Sequence, residues 1–187
     1  MQQAVQTTKI SRTLDLAYMA LGAVVIAVCS WISIPAAVPF TMQTFAVFFV
    51  LLFLGGRRGT GSILVYVLLG AVGMPVFAQF ASGVGVLLGS TGGYIAGFIL
   101  TGLLYWLVTG IFGGKLWIKI AALVLGLAVL YAFGTAWFLF VYARTTGAVG
   151  IAAALGWCVI PFIIPDMIKL GLAVMLSRRL GRAVRGF

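Results

Sequence analysis

Asp166 and Lys169 are the residues whose types and spacing could carry chemistry in this sequence. They stand in Pro165-Asp166-Met167-Ile168-Lys169-Leu170-Gly171-Leu172, otherwise an apolar stretch, and the chain has only two acidic residues in all. A charge at the centre of a bilayer costs roughly 2.5–3.5 kcal/mol on insertion scales. On a helix, positions i and i+3 share one face, so carboxylate and ammonium can offset each other there. An acceptor and a donor held in apolar surroundings suit recognition of a small polar solute. They equally suit a pair that satisfies itself and locks helices together, and the two residues alone leave both readings open.

Other chemistry has little to build on. The chain has no histidine, no pair of adjacent carboxylates and no serine beside an evident base, so it does not read as an enzyme. Gly-x-x-x-x-Gly-Lys-Ser/Thr does not occur, so the chain is not expected to hydrolyse ATP by itself. Uphill movement of a solute would need a partner or an ion gradient. Cys29 and Cys158 lie in apolar runs and read as small buried hydrophobes. Without histidine or further cysteine no zinc cage is available, and no cofactor is expected.

The elements that must position the pair are membrane helices. The chain has 187 residues, of which 64% are hydrophobic and 7% charged, against about 25% charged in a soluble domain. Too few polar residues exist to cover a soluble surface. The net charge of +10 comes in small groups between apolar runs, the pattern of cytoplasmic loops rather than of a nucleic-acid-binding face.

One transmembrane domain of six helices is expected, over about 14–31, 41–54, 60–72, 91–112, 116–142 and 152–180. Residues 1–13 read as a polar cytoplasmic tail and 181–187 as a basic one. The first apolar segment is too long for a signal-peptide core and reads as a retained helix. Lys9, Arg12, Arg57, Arg58, Lys115, Lys119 and the four arginines from Arg178 onward then share one side, with only Arg144 opposite and Lys169 within a helix. That asymmetry predicts both termini inside.

The second and third helices, about 14 and 13 residues, are short for a core about 30 Å thick. The uncharged loops 34–40 and 74–90 face outside. The second is apolar and rich in glycine, and such backbone at membrane depth is tolerated only within protein or beside a cavity. It therefore reads as a loop folded into or over a pocket, with a short interfacial helix as the alternative. Thr41, Gln43, Thr44, Gln79, Ser90 and Thr91 share this outer half with Asp166 and Lys169, and Phe40, Phe45, Phe77, Phe80, Tyr94 and Trp157 flank it. Ala23 and Ala27 form a small-xxx-small pair on the first helix, fitted either for packing within the chain or for docking another membrane subunit.

Several blocks together resemble one family. They are Val38-Pro39-Phe40-Thr41-Met42-Gln43-Thr44-Phe45, Leu54-Gly55-Gly56-Arg57-Arg58-Gly59, Gly70-Ala71-Val72-Gly73-Met74-Pro75-Val76-Phe77-Ala78, Thr91-Gly92-Gly93-Tyr94-Ile95-Ala96-Gly97-Phe98, and Pro161-Phe162 followed by Asp166 and Lys169. In this order they are similar to the BioY family, the biotin-binding S components of energy-coupling-factor transporters. The resemblance implies a six-helix S-component fold in a prokaryotic cell membrane, with a biotin site near the outer face. It also implies partners: a transmembrane coupling subunit and ABC-type ATPases. It places Asp166, Lys169, Gln43 and Gln79 at the polar edges of biotin, lets backbone approach at Gly92 and Gly93, and covers the apolar ring with Tyr94, Phe40 and Phe77. It assigns Ala23 and Ala27 to the coupling subunit. A non-transporting scaffold and a stand-alone gradient-driven carrier are the alternatives.

Overall fold

The computed structural model describes residues 2–36, 38–147 and 149–185, with side chains over 12–182. Lys9 and Arg185, on which part of the charge count rests, have side chains outside that range, and Ala37, Ala148 and the last two residues lie outside the described set. Among the described residues the regular elements are helices, apart from one two-residue β-ladder. Among the described residues, five helices or helix pairs are long and apolar enough to cross a membrane.

Helix α1 (Gln2–Trp31) starts well before the apolar run. The expected tail is thus helical from residue 2, because nothing breaks it and extending an existing helix is far easier than nucleating one. Trp31 is followed by strand β1 (Ser33–Ile34), which pairs antiparallel with β2 (Phe40–Thr41). This hairpin encloses Pro35 and Pro39, and its return leg delivers the chain to helix α2 (Gln43–Ala71).

Helix α2 is not straight. Gly55 has φ 82° and ψ 173°, a conformation that residues with a β-carbon avoid. The side-chain amide of Gln43 donates to the hydroxyl of Tyr66 at 2.8 Å. At 1.5 Å per residue these positions would lie about 34 Å apart in one continuous helix. The halves 43–54 and 56–71 therefore run antiparallel, matching the expected second and third helices around 55–59. Each is about 18–24 Å long, and the depth they leave uncovered is filled by irregular chain at one end.

That chain is the 72–91 connection. It holds a 3-10 turn (Ala78–Phe80) and helix α3 (Val84–Leu88), so the pocket loop and the short helix of the two sequence readings are parts of one segment. It is fastened to the end of α1. Trp31 Nε1 donates to the Pro75 carbonyl at 2.9 Å, the Ser30 hydroxyl reaches the Val76 carbonyl, and Phe80 stacks on Trp31 at 5.1 Å. Phe77 is buried edge-on against Tyr66.

Helices α4 (Gly92–Phe112) and α5 (Leu116–Thr145) are joined by a tight turn at Gly113. Helix α6 (Ile151–Cys158) stops at Val159, and α7 (Ile160–Arg185) carries the chain back. Pro161 accounts for the break, since its ring would clash with the carbonyl four residues earlier. Pro165, by contrast, lies within α7. There it removes one helical hydrogen bond just before Asp166.

Ala23 and Ala27 are 2% and 6% exposed in the core around α1 and α2. Their small size serves close packing within this chain, and they do not present the outward docking stripe expected of them. The exposed side of α1 carries Leu14, Leu21, Val24 and Val28 instead.

Candidate functional site

A cavity of about 220 Å³ opens at the end of the bundle where α1 finishes and α2, α4 and α7 begin. Arg57 and Arg58 follow the bend of α2, and Lys115 and Lys119 lie at the start of α5, away from the cavity. Three pieces of irregular chain form one wall of the cavity: Val38 and Pro39 from the β-hairpin, Phe77, Ala78, Gln79 and Ala81 from the connection, and Thr91 at the start of α4. Another wall is mostly apolar, with Ile95 and Phe98 from α4, Leu130 from α5 and Phe162 from α7.

Asp166 and Lys169 line this cavity and are 2% and 4% exposed. Lys169 Nζ donates to Asp166 Oδ1 at 2.8 Å. The Tyr131 hydroxyl, from α5, donates to the other oxygen, Oδ2, at 2.6 Å. Lys169 Nζ also sits 4.3 Å above the ring centre of Phe40, which stacks on Phe162 at 5.8 Å. The buried carboxylate thus has a donor at each oxygen, and the ammonium has a carboxylate and an aromatic face.

The other polar side chains converge from separate elements. Thr41 enters from β2, Gln43 and Thr44 from the start of α2, and Tyr94 from α4 lies 3.0 Å from Thr135, hydroxyl to hydroxyl. Gln79 is exposed and lines the cavity, with φ 58°, and Phe80 beside it has φ 59°. Two successive side-chain-bearing residues in the left-handed region cost energy, and the Trp31 and Phe77 contacts on either side hold them there.

Six sequence-predicted residues therefore meet around one cavity: Asp166, Lys169, Gln43, Gln79, Tyr94 and Phe77. Three do not reach it. Phe40 lies behind Lys169 rather than in the wall. Gly92 and Gly93 were expected to admit a ligand, but they admit protein. A β-carbon at Gly92 would collide with the Leu87 carbonyl, and one at Gly93 with the Trp137 side chain. Trp137 Nε1 then ties the end of α3 to α5 through the Gly89 carbonyl at 2.9 Å.

Tyr131, Phe162 and Cys158 line the cavity without having been singled out as contacts. Tyr131 left a usable signal. A hydroxyl in the middle of an apolar 30-residue helix needs a partner, and the chain has few polar groups to offer.

Comparison with known proteins places this arrangement. The family model described as "BioY family" matches residues 1–186. A biotin transporter BioY of Thermotoga maritima is 42% identical over 156 residues, covering 83% of this chain and 88% of that protein. A probable biotin transporter BioY of Pyrococcus horikoshii is 41% identical over 143 residues, covering 76% of this chain and 80% of the other. Biotin transporter BioY2 of Lactococcus lactis is 35% identical over 178 residues, with 91% of each chain covered. Among solved structures, the S-component for biotin from an ECF-type ABC transporter superposes with a TM-score of 0.78 at 24% identity, covering 92% of this chain and 93% of that one, and so shares its fold. With a family model spanning nearly the whole length and relatives this close, the chain belongs to the BioY family.

Proposed function

We propose that this chain captures biotin in the cavity beside Asp166 and serves as the substrate-specific S component of a vitamin importer in a prokaryotic cell membrane. The observation that carries the reading is that the buried ion pair borders an open chamber. A pair kept only to lock helices would be sealed by packing, as a non-transporting scaffold requires.

The chemistry of biotin suits the wall. Its ureido group has two N–H donors and one carbonyl acceptor. A carboxylate offers about four acceptor positions, and the two protein donors leave Asp166 room for a ligand N–H. Lys169 has further N–H groups for the ureido oxygen. Phe77, Phe162, Ile95 and Phe98 provide an apolar surface for the sulfur ring. A cavity of about 150 Å³ accepts benzene, so about 220 Å³ is of a size for a bicyclic head. The valerate tail would extend toward Gln79 and Thr91 at the rim.

The topology supports uptake from outside. Counting α2 as two crossings makes six, with both termini on the basic, cytoplasmic side and the cavity facing out. Energy would come from a separate coupling subunit and ABC-type ATPases, since the chain carries no phosphate loop.

Purified protein in detergent, titrated with labelled biotin, tests the proposal. Biotin at a hundred times Kd should raise stability by about 2.7 kcal/mol, whereas a scaffold would show no shift. Dethiobiotin should compete and free valerate should not. Asp166→Asn should weaken binding by about 2 kcal/mol or more, and unchanged binding would remove Asp166 from the site.

A further inference from the structure

The geometry points to Tyr131 as the positioning residue that fixes the polarity of the site and so decides which ligand groups are accepted beside Asp166. This inference rests on the cavity being the biotin site.

Two donors from different elements hold the carboxylate. Tyr131 on α5 donates to Oδ2 at 2.6 Å, and Lys169 on α7 donates to Oδ1 at 2.8 Å. The terminal torsion of an aspartate is broad when unrestrained, so a carboxylate held at one oxygen can swing. Held at both, it keeps one plane, and its remaining lone pairs keep fixed directions.

Tyr131 also lines the cavity. A phenolic hydroxyl has one hydrogen, and here it is given to Asp166. Toward a ligand the Tyr131 oxygen can then only accept. The network runs one way: Tyr131 and Lys169 donate, Asp166 accepts, and both oxygen-bearing residues present acceptors to the chamber. Of these three residues only Lys169 has donors left for a ligand. A ligand must bring N–H to the Asp166 and Tyr131 side and an acceptor to the Lys169 side, the order along one edge of a cyclic urea. A group without N–H would set lone pair against lone pair in a desolvated site, where unpaired polar groups are costly.

The experiment compares biotin with an analogue methylated on a ureido nitrogen, by competition against labelled biotin, in the wild-type protein and Tyr131→Phe. Wild type should prefer biotin. In Tyr131→Phe, biotin should bind at least about tenfold more weakly, the scale of a lost hydrogen bond to a charged group. The analogue should change by less than about twofold on that view, so discrimination collapses. The melting temperature without ligand should fall, because the buried Asp166 Oδ2 loses its donor, so both ligands are compared at a temperature where the variant is fully folded. A role confined to packing would weaken both ligands together or neither, and either result overturns the inference. If Tyr131→Phe does not yield folded protein, replacement of Tyr131 by 4-fluorophenylalanine decides the same question, because it fills the hydroxyl's space without its proton. Wild-type protein that ignores biotin would overturn the biotin reading and this one with it. Wild-type binding with unchanged discrimination in the variant would sink Tyr131 alone.

Discussion

Asp15 and Asp166, the two acidic residues of this chain, are each paired with a base, and the pairs differ in almost everything else. Arg58 donates from Nε to Asp15 Oδ1 at 2.7 Å and brings Nη2 to 2.6 Å of the same oxygen, bridging α1 to the bend of α2 across 43 positions of sequence. Its side chain is 43% exposed and lies over the ring of Tyr18. The Asp166–Lys169 pair spans three positions on one helix, is almost wholly buried, and borders the cavity. Exposed pairs contribute little to stability. Buried pairs are costly to form and costlier to break by halves. An ion pair alone therefore marks no site; burial beside open space does.

The largest effect should follow from splitting the buried pair. Lys169→Met leaves a buried carboxylate with only Tyr131, and should cost about 3–5 kcal/mol of stability by chemical or thermal unfolding in detergent. Biotin binding should vanish as well. Adding Asp166→Leu to that variant should restore much of the stability without restoring binding. Recovery of both would show that the pair serves structure only, and the contrast with Asp15–Arg58 would lose its meaning.

A smaller effect is expected from Gly70→Ala. Its β-carbon would enter the space of the Phe77 ring, forcing a shift in the cavity wall. Overpacking of this kind costs about 1–3 kcal/mol, and titration calorimetry should show weaker biotin binding. Unchanged affinity would detach the 72–91 connection from ligand contact.

The smallest effect belongs to the half-buried pair. Asp15→Asn should change stability by less than about 1 kcal/mol and leave the Kd for biotin where it was. A tenfold loss of affinity would mean that the two ends of the bundle are coupled and that the distinction between the pairs is too sharp.

The amino-acid sequence determined that this is a helical membrane protein, where most helices run, and that Asp166 and Lys169 share a face. These follow from composition, chain breakers and the 3.6-residue turn, all properties of short stretches. Tertiary structure decided that Ala23 and Ala27 turn inward, that Gly92 and Gly93 accommodate Leu87 and Trp137, and that Tyr131 reaches Asp166. The reason lies in the solvent. Lipid is as apolar as a protein core, so helix association has no hydrophobic drive of the kind water supplies. The apolar pattern of a membrane helix then carries little record of which side meets protein. Only packing across helices assigned those faces, and with them the wall of the cavity.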